Sequence, residues 1–240
     1  MNRALIFAGG KGVRMKMNGD IPKQFLEIAG KSIIIHTLEK FQKCETIDDI
    51  VVVCLKPWIK ELEKQCKSFG ITKISKILSG GETGFDSRMI GLAYLMETRE
   101  TDDDIVLIHD GVRPFITSKL ISENVRVAKE FGNAITVAPA TETTVYKRDG
   151  EKDIMLTRDN CLLARAPQTF KLVEIYKDYL KAERDGNTFI VDSASIADYY
   201  GEKLYYVVGP QENIKVTTPI DFYAATGLIT SSGEEMDIYK

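Results

Sequence analysis

The sequence predicts an α/β fold with a largely parallel sheet covered by helices on both faces and a hairpin arm projecting from it. Strand-like apolar runs alternate with helix-like patterns over residues 3–138, the signature of a sheet wound with crossover helices. The apolar runs are strand-sized and unbroken, such as Ile50 to Leu55 and Ile105 to Ile108, as in strands buried on both faces. After Pro139 the pattern shortens to two β-like runs joined around Asp149-Gly150, a hairpin signal.

Each element follows from its local pattern. Strands are expected at Arg3–Ala8, Asp49–Leu55, Ile74–Leu78, Ile105–His109 and Ala134–Ala138. Helices are expected near Ser32–Lys43, Trp58–Phe69 and Asp86–Glu97, and over Ser118–Phe131. In that last helix Leu120, Ile121, Val125, Ala128 and Phe131 share one face, and Gly132 suits the position just past its end. The hairpin takes Glu142–Lys147 and Asp153–Leu156. An exposed hairpin must cover its apolar side, and a second subunit is the usual cover. Helices near Leu172–Glu183 and Ser193–Tyr200, a strand at Leu204–Val208 and a helix from Pro219 complete the chain. The expected organisation is a single domain over residues 1–230, with the arm near 141–166 and a polar tail at 231–240.

Composition narrows the function. The chain has 240 residues, 44% of them hydrophobic, enough for a sizeable core. A net charge of −3 offers no broad basic field, which argues against nucleic acid as a partner. No apolar run approaches a membrane span and no leader precedes the first strand, so the expected compartment is the cytoplasm. The four cysteines lack metal-ligand spacing, and two histidines leave little material for a His-based metal site or a triad.

Four polar clusters fall at expected strand ends or beyond the arm; in an open parallel sheet, ligands bind at the strands' carboxyl ends. The first strand runs into Gly9-Gly10-Lys11-Gly12-Val13-Arg14, with Lys23 soon after. Bare glycine N–H groups can wrap a polyphosphate, and Arg14 and Lys23 add cations; an ordinary glycine turn is the plainer alternative. His109-Asp110-Gly111-Val112-Arg113 follows another strand. Asp110 suits Mg²⁺ and Arg113 an anion, although an Asp–Arg pair that merely orders a loop would look the same. In Asn213-Ile214-Lys215, Glu212 or Asn213 could help ligate a metal and Lys215 could neutralise phosphate. Thr157-Arg158 lies beyond the arm, from which Arg158 could reach a neighbouring site, although a lone arginine there is more often a solvated surface charge.

In order, Gly-Gly-x-Gly-x-Arg-Met, Pro-Lys-Gln-Phe, His-Asp-x-x-Arg-Pro, Pro-Gln-x-Phe and Asn-Ile-Lys-Val-Thr-x-Pro resemble the CTP-dependent polyol-phosphate cytidylyltransferases. That family includes the methylerythritol-phosphate and ribitol-phosphate enzymes. The resemblance implies a Rossmann-like core of the nucleotide-diphospho-sugar transferase type, interlocked as a homodimer through the arm. It implies CTP and Mg²⁺, with a CDP-polyol and pyrophosphate as products. Ala8, Gly9, Gly10, Gly12, Arg14, Lys23, Gly80, Gly81, Ser87 and Asp110 would bind the nucleotide. Arg113, Thr143, Arg158 and Lys215 would bind the polyol phosphate. Arg14, Lys23, Arg158 and Lys215 would carry the catalysis, and Asp110 and Asn213 would hold the metal.

Three positions depart from the family pattern: Gly84 where an Arg is expected, Glu142 where an Asp is expected, and the loop Lys16–Ile21. With Gly84 in place, either one nucleotide contact is missing or Arg88 supplies it from another angle. The acceptor expected is D-ribitol 5-phosphate, for a surface-polymer precursor; the alternative is 2-C-methyl-D-erythritol 4-phosphate, for isoprenoid synthesis. A nucleotide-sugar pyrophosphorylase using another NTP shares the glycine loop but not the arm or the Asn-Ile-Lys-Val-Thr segment. A purely nucleotide-binding protein on the same fold would not need cations on both sides of a reacting phosphorus.

Overall fold

A computed structural model describes residues 1–10 and 21–231. The chain opens with β1 (Asn2–Ala8), the small hairpin of β2 (Glu27–Ile28) and β3 (Lys31–Ser32), and α1 (Ile33–Lys43). Next come β4 (Asp49–Cys54), α2 (Ile59–Ser68), β5 (Ile74–Ser79), α3 (Gly84–Glu97), β6 (Ile105–Asp110), α4 (Ser118–Phe131) and β7 (Asn133–Pro139). The arm strands β8 (Thr144–Tyr146) and β9 (Ile154–Leu156) precede β10 (Leu162–Lys171), α5 (Leu172–Arg184), α6 (Ser193–Tyr199), β11 (Tyr206–Val208) and α7 (Pro219–Ser231).

Seven strands form the central sheet in the order β11-β7-β10-β6-β1-β4-β5. All run the same way except β10, which is antiparallel to both neighbours. The alternation along β1 shows why its residues read as one apolar run. Ala4, Ile6 and Ala8 face a core shared with α1, α2 and α4, whereas Leu5 faces the core under α3, α5 and α6. A third, smaller core joins the β2–β3 hairpin to α7 through Leu26, Ile28, Val216 and Ala225.

Helix α3 lies tight against β1, because a Cβ on Gly91 would come within 2.6 Å of Leu5 Cδ1. That contact packs the middle of α3 against the middle of β1. Helix α4 has the boundaries read from its sequence, and Gly132 ends it at φ +96°, a conformation that favours glycine.

The sequence pattern gave no strand at Leu162–Lys171, yet β10 sits in the middle of the sheet. Pro167 cannot donate to a ladder and Arg165 breaks the apolar run, so the segment does not read as a central strand. The structure accommodates both with a register shift between Ala164 and Gln168 against β7, and β10 pairs with β6 only from Gln168 onward. The arm strands form their own two-stranded sheet, with Val145 opposite Met155, and the chain reverses through Gly150. Among the described residues no helix is long and apolar enough to cross a membrane.

Candidate active site at the carboxyl edge of the sheet

At the exit of β1, the buried Gln24 donates from Nε2 to the carbonyl of Ala8 at 2.6 Å and fixes where the strand ends. Beyond it Gly9 and Gly10 lie between two functional groups. A Cβ on Gly9 would be 3.8 Å from Ser87 Oγ, and one on Gly10 would be 3.9 Å from Lys23 Cε. Lys23, on a 3-10 turn, thus stands beside the glycine backbone as the sequence implied. On the other side, Gly80 donates to the carbonyl of Cys54 at 2.8 Å, which carries β5 straight into the turn before α3. Ser87 Oγ accepts from Gly81 N at 3.2 Å and donates to the Thr83 carbonyl at 2.9 Å. A reciprocal cap between Thr83 and Asp86 begins the helix. Gly12 and Arg14 lie outside the described residues, as do most of the loop Lys16–Ile21 and all but the first residue of the tail.

The end of β6 carries the charge. Asp110 Oδ1 is 2.6 Å from Lys215 Nζ, and its Oδ2 accepts from Arg113 Nε at 2.8 Å. Arg113 also donates to the Asn213 carbonyl at 2.9 Å, tying β6 to the loop before α7. The aspartate–arginine pair that orders a loop is therefore present, with Lys215 as a second cation on the same carboxylate. Burial alone would raise the Asp110 carboxyl, but Lys215 and Arg113 outweigh it and hold it well below the ordinary carboxylate range. Asp110 is an anion at any physiological pH. Next to it, burial drives the His109 ring down to about 3, so it stays neutral against Phe41. A neutral, buried imidazole is no proton shuttle for this site.

A cavity of about 160 Å³ opens beside this trio, lined by Asp110, Arg113, Lys215, Arg88, Arg165 and Asp192 among others. Arg165 is committed to the loop before α7: it donates to the carbonyls of Pro210 and Gln211 at 3.2 and 2.7 Å. Asn213 is fully buried; its Nδ2 donates to the Ala166 carbonyl, and its Oδ1 has no partner. Among the described residues no cluster of three acidic, His or Cys side chains could cage a metal by itself. Asp110 offers a single carboxylate already shared with Lys215 and Arg113, and Mg²⁺ can be held by one carboxylate when waters and phosphate oxygens supply the rest.

Two expected residues lie elsewhere. Thr143 is exposed at the root of the arm, and Arg158, 62% exposed, pairs loosely with Asp159 at 3.4 Å. Neither lines the cavity of its own chain. Sequence reasoning overlooked Arg165, Asp192 and Ser193. The first hides in the unrecognised β10. The other two look like an ordinary helix start, and Asp192 does cap α6.

A doubly covered sheet whose carboxyl edge joins a glycine turn to a Lys–Asp–Arg trio fits an α/β nucleotidyltransferase. Residues 3–231 match the family model described as IspD: 2-C-methyl-D-erythritol 4-phosphate cytidylyltransferase. The chain belongs to that family. It is 44% identical to a ribitol-5-phosphate cytidylyltransferase of Vibrio parahaemolyticus, with all of both chains covered. It is 36% identical to a 2-C-methyl-D-erythritol 4-phosphate cytidylyltransferase of Clostridium acetobutylicum, over 95% of this chain and 97% of that one. The solved 4-diphosphocytidyl-2C-methyl-D-erythritol synthase of Anaerococcus prevotii has the same fold, with a TM-score of 0.80 at 24% identity, covering 95% of this chain and 96% of that one.

Proposed function

We propose that this enzyme transfers CMP from CTP to D-ribitol 5-phosphate, giving CDP-ribitol and pyrophosphate. A phosphate oxygen of the acceptor attacks the α-phosphorus of CTP. The bond from that phosphorus to the oxygen bridging to the β-phosphate breaks, and pyrophosphate leaves. The nucleophile is already anionic, so the site needs position and positive charge rather than a base. The Lys215–Asp110–Arg113 trio carries this reading, because it fixes two cations at the strand edge, next to the glycine turn. Lys23 and Arg14 serve the triphosphate with the glycine backbone, while Gly80, Gly81 and Ser87 border the cytidine. Lys215 neutralises charge that builds on the α-phosphate, and Arg113 orients the acceptor phosphate.

Asp110, with Asn213 Oδ1 as a second oxygen, would hold Mg²⁺. When bound, the ion would neutralise phosphate charge and help align the triphosphate. The arm presents Val145, Tyr146, Ile154 and Met155 to solvent, an apolar surface that suits a second copy of the chain. In that homodimer Thr143 and Arg158 reach the partner's acceptor site, which accounts for their distance from their own cavity. The enzyme works in the cytoplasm on small molecules and supplies a surface-polymer precursor.

The full-length 44% identity to a ribitol-5-phosphate enzyme favours this acceptor. Methylerythritol phosphate remains the second reading, because the family model and the 36% relative carry that name. Pyrophosphate release with CTP and Mg²⁺ tests the choice. Turnover with ribitol 5-phosphate at least tenfold above methylerythritol phosphate is expected. The reverse order would move the enzyme to isoprenoid synthesis.

A further inference from the structure

We propose that Arg88 and Asp192 form the wall that reads the acceptor's hydroxyl groups and so decides which polyol phosphate is used. The inference rests on the acceptor reading above and adds two residues outside the motifs that carry it.

Size comes first. The cavity beside Asp110 measures about 160 Å³, and a cavity of about 150 Å³ holds one six-carbon ring. A five-carbon polyol chain fits there. On the acceptor reading this half-open cavity takes the polyol phosphate, and the nucleotide takes the glycine turns. Phe7 and Ile108 give the cavity an apolar floor for the carbon chain. The phosphate-suited groups Arg113 and Lys215 line it too, and Arg88, Asp192, Ser193 and Gln168 add polar side chains that can meet hydroxyls.

Arg88 is under-used by the fold. It stands on α3 one turn after Gly84, and its guanidinium lies across that bare backbone, where a Cβ would be 3.5 Å from Nη1. Its Nη2 donates to the Ile190 carbonyl at a long 3.4 Å, and the Tyr179 hydroxyl, 2.9 Å from Ser193 Oγ, interacts with it. Its Nε is buried with no acceptor. Among the described residues no carboxylate pairs with it. A guanidinium carries five N–H donors, and leaving donors unmade inside a protein is costly. Arg88 also lines the cavity, where a ligand oxygen can meet the guanidinium.

Asp192 supplies the complement. Its Oδ1 accepts from Ser195 N at 2.8 Å at the start of α6, which fixes the carboxylate on the cavity wall. A carboxylate only accepts and a guanidinium only donates, whereas a hydroxyl does both. The pair thus matches a hydroxyl in each of its roles. A methyl branch in the same place satisfies neither group, and sites built to hydrogen-bond a hydroxyl reject analogues that lack it far more strongly than apolar pockets reject a methylene.

The test is steady-state turnover of wild type, Arg88→Met, Arg88→Lys and Asp192→Asn with each of the two acceptors. In Arg88→Met the KM for ribitol 5-phosphate should rise at least tenfold while that for CTP stays within twofold. The preference for ribitol 5-phosphate over methylerythritol phosphate should fall at least tenfold, with Arg88→Lys intermediate. Asp192→Asn keeps the helix cap and should narrow the preference in the same direction, even if Arg88→Met fails to fold. Equal losses on both acceptors, or a raised KM for CTP alone, would overturn the inference. Turnover by wild type with unchanged preference in the variants sinks this inference only. A wild type silent with both acceptors sinks the acceptor reading as well.

Discussion

Replacing Lys215 with alanine should separate what the site contributes to folding from what it contributes to reaction. Lys215 Nζ lies 2.6 Å from Asp110 Oδ1, but the lysine side chain is 41% exposed. An ion pair that open contributes at most about 1 kcal/mol to stability. Arg113, only 11% exposed, stays bonded to the same carboxylate after the substitution, so Asp110 is not left without a partner. The cost to the reaction is larger. Removing one preorganised group that meets transition-state charge costs about 100- to 1,000-fold in rate, or about 2.7–4 kcal/mol. Lys215→Ala should therefore keep a urea midpoint close to wild type while kcat for pyrophosphate release falls by at least two orders of magnitude. Lys215→Arg should recover part of the loss, because it restores charge with a different reach. A kcat within threefold of wild type would refute the role given to Lys215. A stability loss that accounts for the rate loss would refute the separation.

Other predictions concern different parts of the molecule. Lys23→Ala should abolish turnover in a folded protein, since Lys23 stands beside Gly10 and the proposed reading puts the nucleotide's phosphates there; near-normal kcat would remove it from the mechanism. If Arg158 acts across the proposed dimer, mixing Lys23→Ala with Arg158→Ala chains should restore some activity, because one site in each heterodimer would then have both residues, whereas no recovery in proven heterodimers would place Arg158 in its own chain's site. Met155→Asp, at a position 67% exposed on the arm, should shift sedimentation towards monomer and lower activity with it; an unchanged dimer would locate the interface elsewhere. The His109 ring has its pKa lowered by burial to about 3, so the unfolded chain takes up this proton first as pH falls below about 6.5. Its contribution is complete above that value and lost below it, by about 2 kcal/mol between pH 7 and pH 5. His36, also lowered by burial, adds in the same direction; urea titrations should show a smaller drop in His109→Gln, and an equal drop would refute the assignment.

Most of the fold was legible because its strands are covered on both faces. Burial on two sides turns β1, β4 and β6 into unbroken apolar runs, which sequence shows directly. The α4 helix was legible to the residue, since one apolar face and a glycine stop define both ends. β10 was not, because its pairing with β6 and β7 is long-range and its proline is tolerated only through a local register shift. The site followed the same division. Lys23, Asp110, Arg113 and Lys215 sit in short motifs, so their types and order could be read from the chain. That Asp110 is held by both Lys215 and Arg113 could not, because Lys215 arrives from a loop about a hundred residues away. Arg88 shows the limit differently: its sequence position was noticed, but only the three-dimensional packing reveals a guanidinium lying over Gly84 with a donor to spare.

The arm has one further consequence. Its two legs are the continuations of β7 and β10, which lie side by side, and Ala140 N donates to the Cys161 carbonyl at 3.0 Å to close its base. Everything from 141 to 160 is an excursion that leaves and re-enters the sheet at adjacent points. Such a segment can be exchanged between relatives as a cassette without moving Asp110, Arg113 or Lys215. On the proposed reading the cassette also carries Thr143 and Arg158. Choice of subunit partner and grip on the acceptor are then inherited together, so a lineage that changes one changes the other in the same step.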